Sequence, residues 1–137
     1  MAKLRGKEPH PQDKRLKLMI FGTAGSGKTT ACLQMEKPYI IDCERGTDNY
    51  SAQIKSVGGV VFHTVDSDEL LDEVRALRTE KHDYLTLCID SITTVYADLL
   101  EKCEAKVGSE FGRHYGLANK TMRTFMNLIM SLDMNVV

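Results

Sequence analysis

A glycine-rich segment near the amino end has the residue types and spacing of a phosphate-binding loop. Residues 22–29 read GTAGSGKT and fit the pattern GxxxxGK[ST] in full. Glycines let the backbone curl around a phosphate, and N–H groups of the loop and of the following helix start supply donors. Lys28 is expected to reach the β- and γ-phosphates of a nucleotide, and Thr29 to place its hydroxyl on Mg²⁺. The predicted nucleotide-binding residues of this segment are Gly22, Thr23, Ala24, Gly25, Ser26, Gly27, Lys28, Thr29 and Thr30.

Two carboxylates are candidates for the metal and for the attacking water. The apolar run 85–89, interrupted by Thr86, ends at Asp90. A carboxylate at the end of a buried strand is the second element that holds Mg²⁺ beside such a loop. Glu44 ends the run PYIIDCE and is predicted to orient or deprotonate water, with Lys28 as the catalytic cation. Asp42 is the main rival of Glu44 for that role.

The elements that must position these residues alternate along the chain. Helical spacing of apolar residues follows the glycine loop and recurs in 67–81, with Ser67 as the predicted N-cap, in 93–107 and in 117–132. The stripe Met122, Met126 and Met130 is expected to face the core. Apolar runs of strand length occupy residues 16–21, 38–44, 60–65 and 84–90, and a further strand begins in 134–137. This rhythm predicts an α/β fold with a mostly parallel sheet flanked by helices.

Length and composition limit the classes of protein to which the chain can belong. The chain has 137 residues, the size of one domain, and its 42% hydrophobic and 27% charged residues exclude disordered, collagen-like and fibrous classes. Residues 1–15 form a basic N-terminal arm before a core at 16–137, and the arm lacks the apolar region of a secretory signal, so a cytoplasmic protein is expected. No apolar run is long enough to span a membrane. The four cysteines have no CxxC spacing and are expected to be buried small hydrophobes.

Three stretches, taken together and in order, resemble the RecA-like P-loop ATPase core. They are FGTAGSGKTT, IIDCERGTDNY and LCIDSITTVY. In particular, they are similar to phage-encoded RecA-like nucleotide-binding proteins, including single-strand annealing ATPases. The resemblance implies an ATPase that uses ATP and Mg²⁺ and acts on single-stranded DNA in recombination or annealing, in the host cytoplasm. It also implies that Glu44 is the catalytic base and that Asp48 and Tyr50 hold adenine.

The carboxyl-terminal part of the chain carries the implied DNA contacts. Residues 108–137 resemble the stretch that runs from the first DNA-binding loop of RecA-like proteins into the next strand. The implied contacts are Arg113, His114 and Lys120, with Phe111 or Tyr115 as a stacking partner. A single-strand binding protein and a ring or filament of identical subunits are the implied partners. Because the family core continues past its equivalent of 134–137, the chain is expected to be truncated or to complete itself with another subunit.

Two alternative functions remain open. One is a nucleotide-gated DNA-binding or annealing module with negligible turnover. The other is a P-loop small-molecule kinase, since the loop alone does not distinguish water from another phosphoryl acceptor. A GTPase is disfavoured, because Asn119-Lys120 begins the guanine-reading pattern NKxD but Met122 stands where aspartate is needed.

Overall fold

The computed structural model describes residues 2–137 and shows a sheet of four parallel strands flanked by helices on both faces. The spatial order of the strands is β2-β1-β3-β4, and every neighbouring pair is parallel. The predicted α/β class with a parallel sheet is confirmed. The strand bounds are β1 (Pro38–Asp42), β2 (Val60–His63), β3 (Thr86–Asp90) and β4 (Asn135–Val136).

Helices cover the sheet as two layers with separate apolar cores. On one face, Cys32, Leu33 and Ile54 pack against Ile40 and Cys88 of the central strands. On the other face, a larger core joins the three longer helices to the same strands. Strands β1 and β3 are buried on both faces, which explains why their sequences are almost continuously apolar. The helices are α1 (Lys28–Leu33), α2 (Ser51–Ser56), α3 (Ser67–Thr79), α4 (Ile92–Val107) and α5 (Arg113–Met130), with a 3₁₀ turn at Glu110–Gly112.

The cap of α3 differs from the prediction by one residue. Asp66, not Ser67, is the N-cap, because its Oδ1 accepts hydrogen bonds from the N–H groups of Asp68 (2.8 Å) and Glu69 (3.0 Å). Ser67 is the first helical residue, and its N–H donates to Asp98 Oδ2 of α4 at 2.8 Å. A carboxylate is as good an N-cap as a hydroxyl, so the pair Asp66-Ser67 is ambiguous in sequence.

The methionine stripe of α5 faces the core only at Met122, which is partly buried against it. Met126 and Met130 are exposed, and the neighbouring Phe125 and Ile129 are buried in the larger core instead. The two methionines line an apolar cavity of about 480 Å³ beside residues 18–21. The error arises because Phe125 and Ile129 form a second apolar row on the same helix, with the same spacing of four residues.

The strand predicted at residues 16–21 is present only as one bridge. Lys17 pairs with Val136 in parallel, with hydrogen bonds from Leu18 N–H to Val136 O and from Val136 N–H to Leu16 O, each 2.8 Å. The paired residues of β4 are Asn135 and Val136, so the pairing does not reach Met19–Phe21. These residues are exposed, with Phe21 at 91%.

The structure also bears on the expectations for the N-terminal arm, for membrane-spanning helices and for the cysteines. Residues 2–15 are exposed and lie outside helices and strands. No helix within residues 2–137 is both long enough and apolar enough to cross a membrane. The expectation for the cysteines is confirmed, since all four are free and buried: Cys32, Cys43, Cys88 and Cys103.

Candidate functional site

The glycine loop has a backbone that only its glycines adopt without strain. Gly25 and Gly27 have φ angles of 79° and 93°, in the left-handed region, and Gly27 is the N-cap of α1. At Gly22, an added Cβ would lie 2.7 Å from Ser26 Oγ, so a side chain there would collide with the far wall of the loop. The loop is exposed, and its backbone is therefore open to a ligand.

Lys28 folds back across this loop. Its Nζ donates hydrogen bonds to the carbonyl oxygens of Gly22 (2.8 Å) and Thr23 (2.9 Å). Lys28 is also the first residue of α1, so its backbone position is fixed by the helix. This arrangement holds a positive charge inside the curve of the loop, where a phosphate group would meet it.

Thr29 and Asp90 form the pair that fits a metal ion. Thr29 Oγ1 donates to Asp90 Oδ2 at 2.6 Å. An added Cβ on Gly46 would lie 3.3 Å from Thr29 Oγ1 and 3.7 Å from Asp90 Oδ2, so glycine leaves room at this corner. Hydroxyl and carboxylate oxygens are the ligands that Mg²⁺ prefers, and Mg²⁺ takes few protein ligands beside phosphate oxygens. The residues present therefore fit the ion that the phosphate-binding loop implies.

Asp42 is a brace for the loop that follows β1. It is 1% exposed and accepts from the N–H groups of Glu44 (3.0 Å), Gly46 (3.2 Å) and Thr47 (2.9 Å), and also from the Thr47 hydroxyl. Burial by itself raises the pKa of Asp42, but the bonds from Thr47, Glu44 and Gly46 together lower it below its ordinary value. Both oxygens are thus engaged, which leaves Asp42 unsuited to orient water and favours Glu44 in the comparison of the two.

Glu44 is exposed at the start of this braced loop and faces the start of α4. Its Oε1 accepts hydrogen bonds from Ser91 Oγ (2.6 Å) and Thr94 Oγ1 (3.2 Å). Ser91 follows Asp90 directly, so the candidate base lies beside the candidate metal pair. Glu44 therefore has the exposure and the location that its predicted action on water requires.

Asp48 and Tyr50, the predicted adenine contacts, lie on the turn between β1 and α2. Asp48 Oδ1 is 3.8 Å from His63 Nε2, and His63 Nδ1 is 3.6 Å from Asp42 Oδ2. Tyr50 is the N-cap residue of α2 and is exposed. His63 therefore packs against the same turn, a position that no motif in the sequence signals. Adenine contact by Asp48 and Tyr50 stays a prediction.

The predicted DNA contacts differ in exposure. Arg113 and Lys120 of α5 are exposed, and Phe111 in the preceding turn is 96% exposed. His114 is only 8% exposed and its ring lies 4.1 Å from that of Tyr115, so its imidazole is not presented to solvent as a DNA contact requires. Tyr115 is itself exposed. DNA contact by Arg113 and Lys120 stays a prediction.

Comparison with known proteins assigns the chain to a family. A family model described as an AAA domain matches residues 14–137. The chain belongs to this AAA domain family. No curated protein and no solved structure gives a significant match. The match includes every residue of the site described above, and membership supports a nucleotide-binding ATPase domain, a class that usually also binds Mg²⁺.

Within the AAA domain, three contributors to the site have no sequence motif of their own. Gly46 lies beside the Thr29–Asp90 pair, and Ser91 and Thr94 donate hydrogen bonds to Glu44. The stretch IDSITT contains both hydroxyls, but hydroxyl residues at a helix start are ordinarily caps, so this signal is weak. Asn119, which begins the partial NKxD pattern, lies inside α5 and accepts a hydrogen bond from the Tyr96 hydroxyl at 2.9 Å.

Proposed function

We propose that this AAA domain hydrolyses ATP in a Mg²⁺-dependent reaction and acts on single-stranded DNA in recombination or annealing, as phage RecA-like proteins do. The observation that carries the proposal is the contact between Thr29 and Asp90 beside the glycine loop, with Glu44 at the same edge of the sheet. A phosphate loop, a metal pair and a carboxylate for water are the parts that ATP hydrolysis needs.

Each residue has a distinct part in this reaction. Lys28 and the loop N–H groups bind the β- and γ-phosphates and stabilise the negative charge that develops during transfer. Thr29 and Asp90 would hold Mg²⁺, which neutralises phosphate charge when bound. Glu44 orients a water molecule towards the γ-phosphorus and accepts its proton as the new P–O bond forms. The bond from the γ-phosphorus to the β-γ bridging oxygen breaks, and ADP and inorganic phosphate leave.

The DNA part of the proposal is supported by the surface at the start of α5. Phe111 stands fully exposed at the tip of the turn before the helix, and Arg113 and Tyr115 are exposed just after it. Single strands are held by basic side chains and by stacking on aromatic rings, and this turn offers both. Lys120 adds a second exposed cation two helical turns further along α5.

Self-association into a ring or filament is part of the same proposal. Met19 and Phe21 expose apolar side chains next to Met126 and Met130 of α5. Contiguous exposed apolar surface of this kind is typical of contacts between proteins. Sedimentation velocity with wild type and Phe21→Ser measures this, and a wild-type chain that stays monomeric with ATP and DNA contradicts it.

The proposed function is tested by ATP turnover across a titration of single-stranded DNA. We expect DNA to raise the turnover of wild type, and Arg113→Ala with Lys120→Ala to weaken the DNA dependence without changing turnover in its absence. Lys55→Ala, an exposed lysine of α2 on the opposite face of the sheet from α5, is the matched control for loss of a surface cation. An ATP turnover rate that does not change with DNA concentration would mean that the chain is an ATPase without a role on DNA. DNA binding without ATP turnover would support the nucleotide-gated module instead.

A further inference from the structure

We propose that Ser91 and Thr94 are positioning residues for ATP hydrolysis, which hold the Glu44 carboxylate towards the attacking water. This inference rests on the proposed function, because it assigns the two hydroxyls to the same site. Nothing in the sequence motifs assigns either residue, and the contacts of both converge on one oxygen of Glu44.

The geometry places both donors on the same carboxylate oxygen. Ser91 Oγ lies 2.6 Å and Thr94 Oγ1 lies 3.2 Å from Glu44 Oε1, and the two hydroxyl oxygens are 3.3 Å apart. Ser91 is the N-cap position of α4 and Thr94 lies three residues further on, a spacing that brings side chains together at a helix start. The pair is therefore a preformed two-donor clamp.

The Ser91 side chain is available for this task. The Ser91 side chain makes no capping hydrogen bond to the backbone of α4, although it occupies the position where serine ordinarily does so. Within residues 2–137, the side-chain hydrogen bonds of Ser91 run to Glu44 and Thr94. The serine at this helix start thus faces across to the loop after β1 instead of stabilising its own helix.

Glu44 needs such a support because it is a long, exposed side chain. A free glutamate samples many rotamers, and ordering one costs conformational entropy that must be offset by contacts. Both hydroxyls bond to Oε1, which leaves Oε2 with its lone pairs free to accept a hydrogen bond from water. The backbone of Glu44 is held from the other side, since its N–H donates to Asp42 Oδ1 at 3.0 Å.

The clamp also ties Glu44 to the metal pair. Ser91 is the residue after Asp90, and Asp90 Oδ2 accepts from Thr29 Oγ1 at 2.6 Å. In addition, Cys43 N–H donates to Asp90 O at 2.6 Å, which joins the backbones at the ends of β1 and β3. The carboxylate for water and the ligands for Mg²⁺ are therefore positioned by one connected set of hydrogen bonds.

The test compares steady-state hydrolysis of Mg-ATP by wild type, Ser91→Ala, Thr94→Val and the double variant. Loss of both donors is expected to lower kcat by about 100-fold, since misplacement of a catalytic group by about 1 Å costs that much, with KM within about twofold. Ser91→Thr and Thr94→Ser retain a hydroxyl and are expected to retain most of kcat. Thr93→Val, one residue from the clamp and exposed, is the matched control.

The outcomes separate this inference from the proposed function. If Lys28→Ala abolishes turnover while the double variant keeps the wild-type kcat, the clamp is overturned and the ATPase stands. A higher kcat in the double variant also overturns it, because the hydroxyls would then hold Glu44 away from water. If wild type shows no turnover that depends on Lys28, the proposed hydrolysis fails and the clamp fails with it.

Discussion

Thr29 and Asp90 are 61 positions apart in the chain, and their side chains meet through a hydrogen bond of 2.6 Å from Oγ1 to Oδ2. The contact joins the first turn of α1 to the carboxyl end of the central strand β3. A hydroxyl and a carboxylate at the edge of a parallel sheet are the kinds of side chain that hold Mg²⁺ beside a phosphate-binding loop.

Loss of the Thr29 hydroxyl should weaken the response to Mg²⁺. In Thr29→Ala we expect the Mg²⁺ concentration for half-maximal ATP hydrolysis to rise at least about tenfold, since even indirect partners of a metal ligand contribute 10–100-fold to affinity. Thr29→Ser keeps the hydroxyl and should stay close to wild type. A Mg²⁺ titration of turnover measures this, and equal midpoints for Thr29→Ala and wild type would place the ion elsewhere.

A side chain at Gly46 should disturb the neighbouring Thr29–Asp90 pair and lower ATP turnover. The Cβ of Gly46→Ala would lie 3.3 Å from Thr29 Oγ1, which is tighter than most Cβ contacts, so the loop or Thr29 must shift. We expect Gly46→Ala to lower turnover about tenfold at fixed Mg²⁺, because small displacements of positioned groups are costly. Gly116→Ala, which meets nothing within 4 Å, is the control. Equal activity of both variants would remove Gly46 from the site.

Asp42 should contribute to stability in a pH-dependent way. Its carboxyl has a pKa below the ordinary 3.8, so between the two values the unfolded chain binds more protons than the folded one. The contribution is present above about pH 3.8 and is lost as the pH falls through the lower folded-state pKa. Asp42→Asn should lose about 1–3 kcal/mol of unfolding free energy near neutral pH.

Urea unfolding between pH 2 and pH 7 measures this contribution of Asp42. The difference in unfolding free energy between wild type and Asp42→Asn is expected to shrink at the acid end, while Asp83→Asn, an exposed carboxylate, follows wild type throughout. A difference that is independent of pH would mean that the charge of Asp42 does not brace the loop.

Lys17 should anchor the segment that leads into the glycine loop. Its Nζ donates to the carbonyl oxygens of Met134 (2.7 Å), Leu132 (2.9 Å) and Ile129 (3.3 Å), and its burial lowers the pKa of the ammonium group. Lys17→Met should cost about 1.5–3 kcal/mol, because three carbonyls lose a charged donor. Urea unfolding measures the loss, and the exposed Lys14→Met is the control. Equal midpoints for the two variants would contradict an anchoring role.

The sequence predicts the fold class and four of the strands because their physical signals are local. Runs such as 38–42 and 86–90 are apolar throughout, as strands buried under helices must be. The strand predicted at 16–21 depends instead on a partner, and only Lys17 is paired in the structure. Met126 and Met130 of α5 are misplaced for a related reason, since which of two apolar rows faces the core is decided by packing and not by spacing.

In the candidate site, too, features with a local sequence pattern can be predicted and features that depend on contacts between distant residues cannot. Glycine-loop residues are recognisable because backbone conformation and phosphate chemistry restrict the residue type at each position. The contacts of Ser91 and Thr94 with Glu44 cross from α4 to the loop after β1 and leave no periodic pattern. Similarly, the burial of His114 depends on the face of α5 that packs, so its basic context in sequence is misleading.

ATP hydrolysis by wild type, Lys28→Ala and Glu44→Gln at saturating Mg²⁺ tests the central claim most directly. We expect Lys28→Ala to lose both nucleotide binding and turnover, since it removes the charge that the loop holds for phosphate, and Glu44→Gln to bind ATP but turn over at least about 100-fold more slowly. Equal turnover in all three proteins would contradict the account, because hydrolysis would then take place without the site formed by the glycine loop, Asp90 and Glu44.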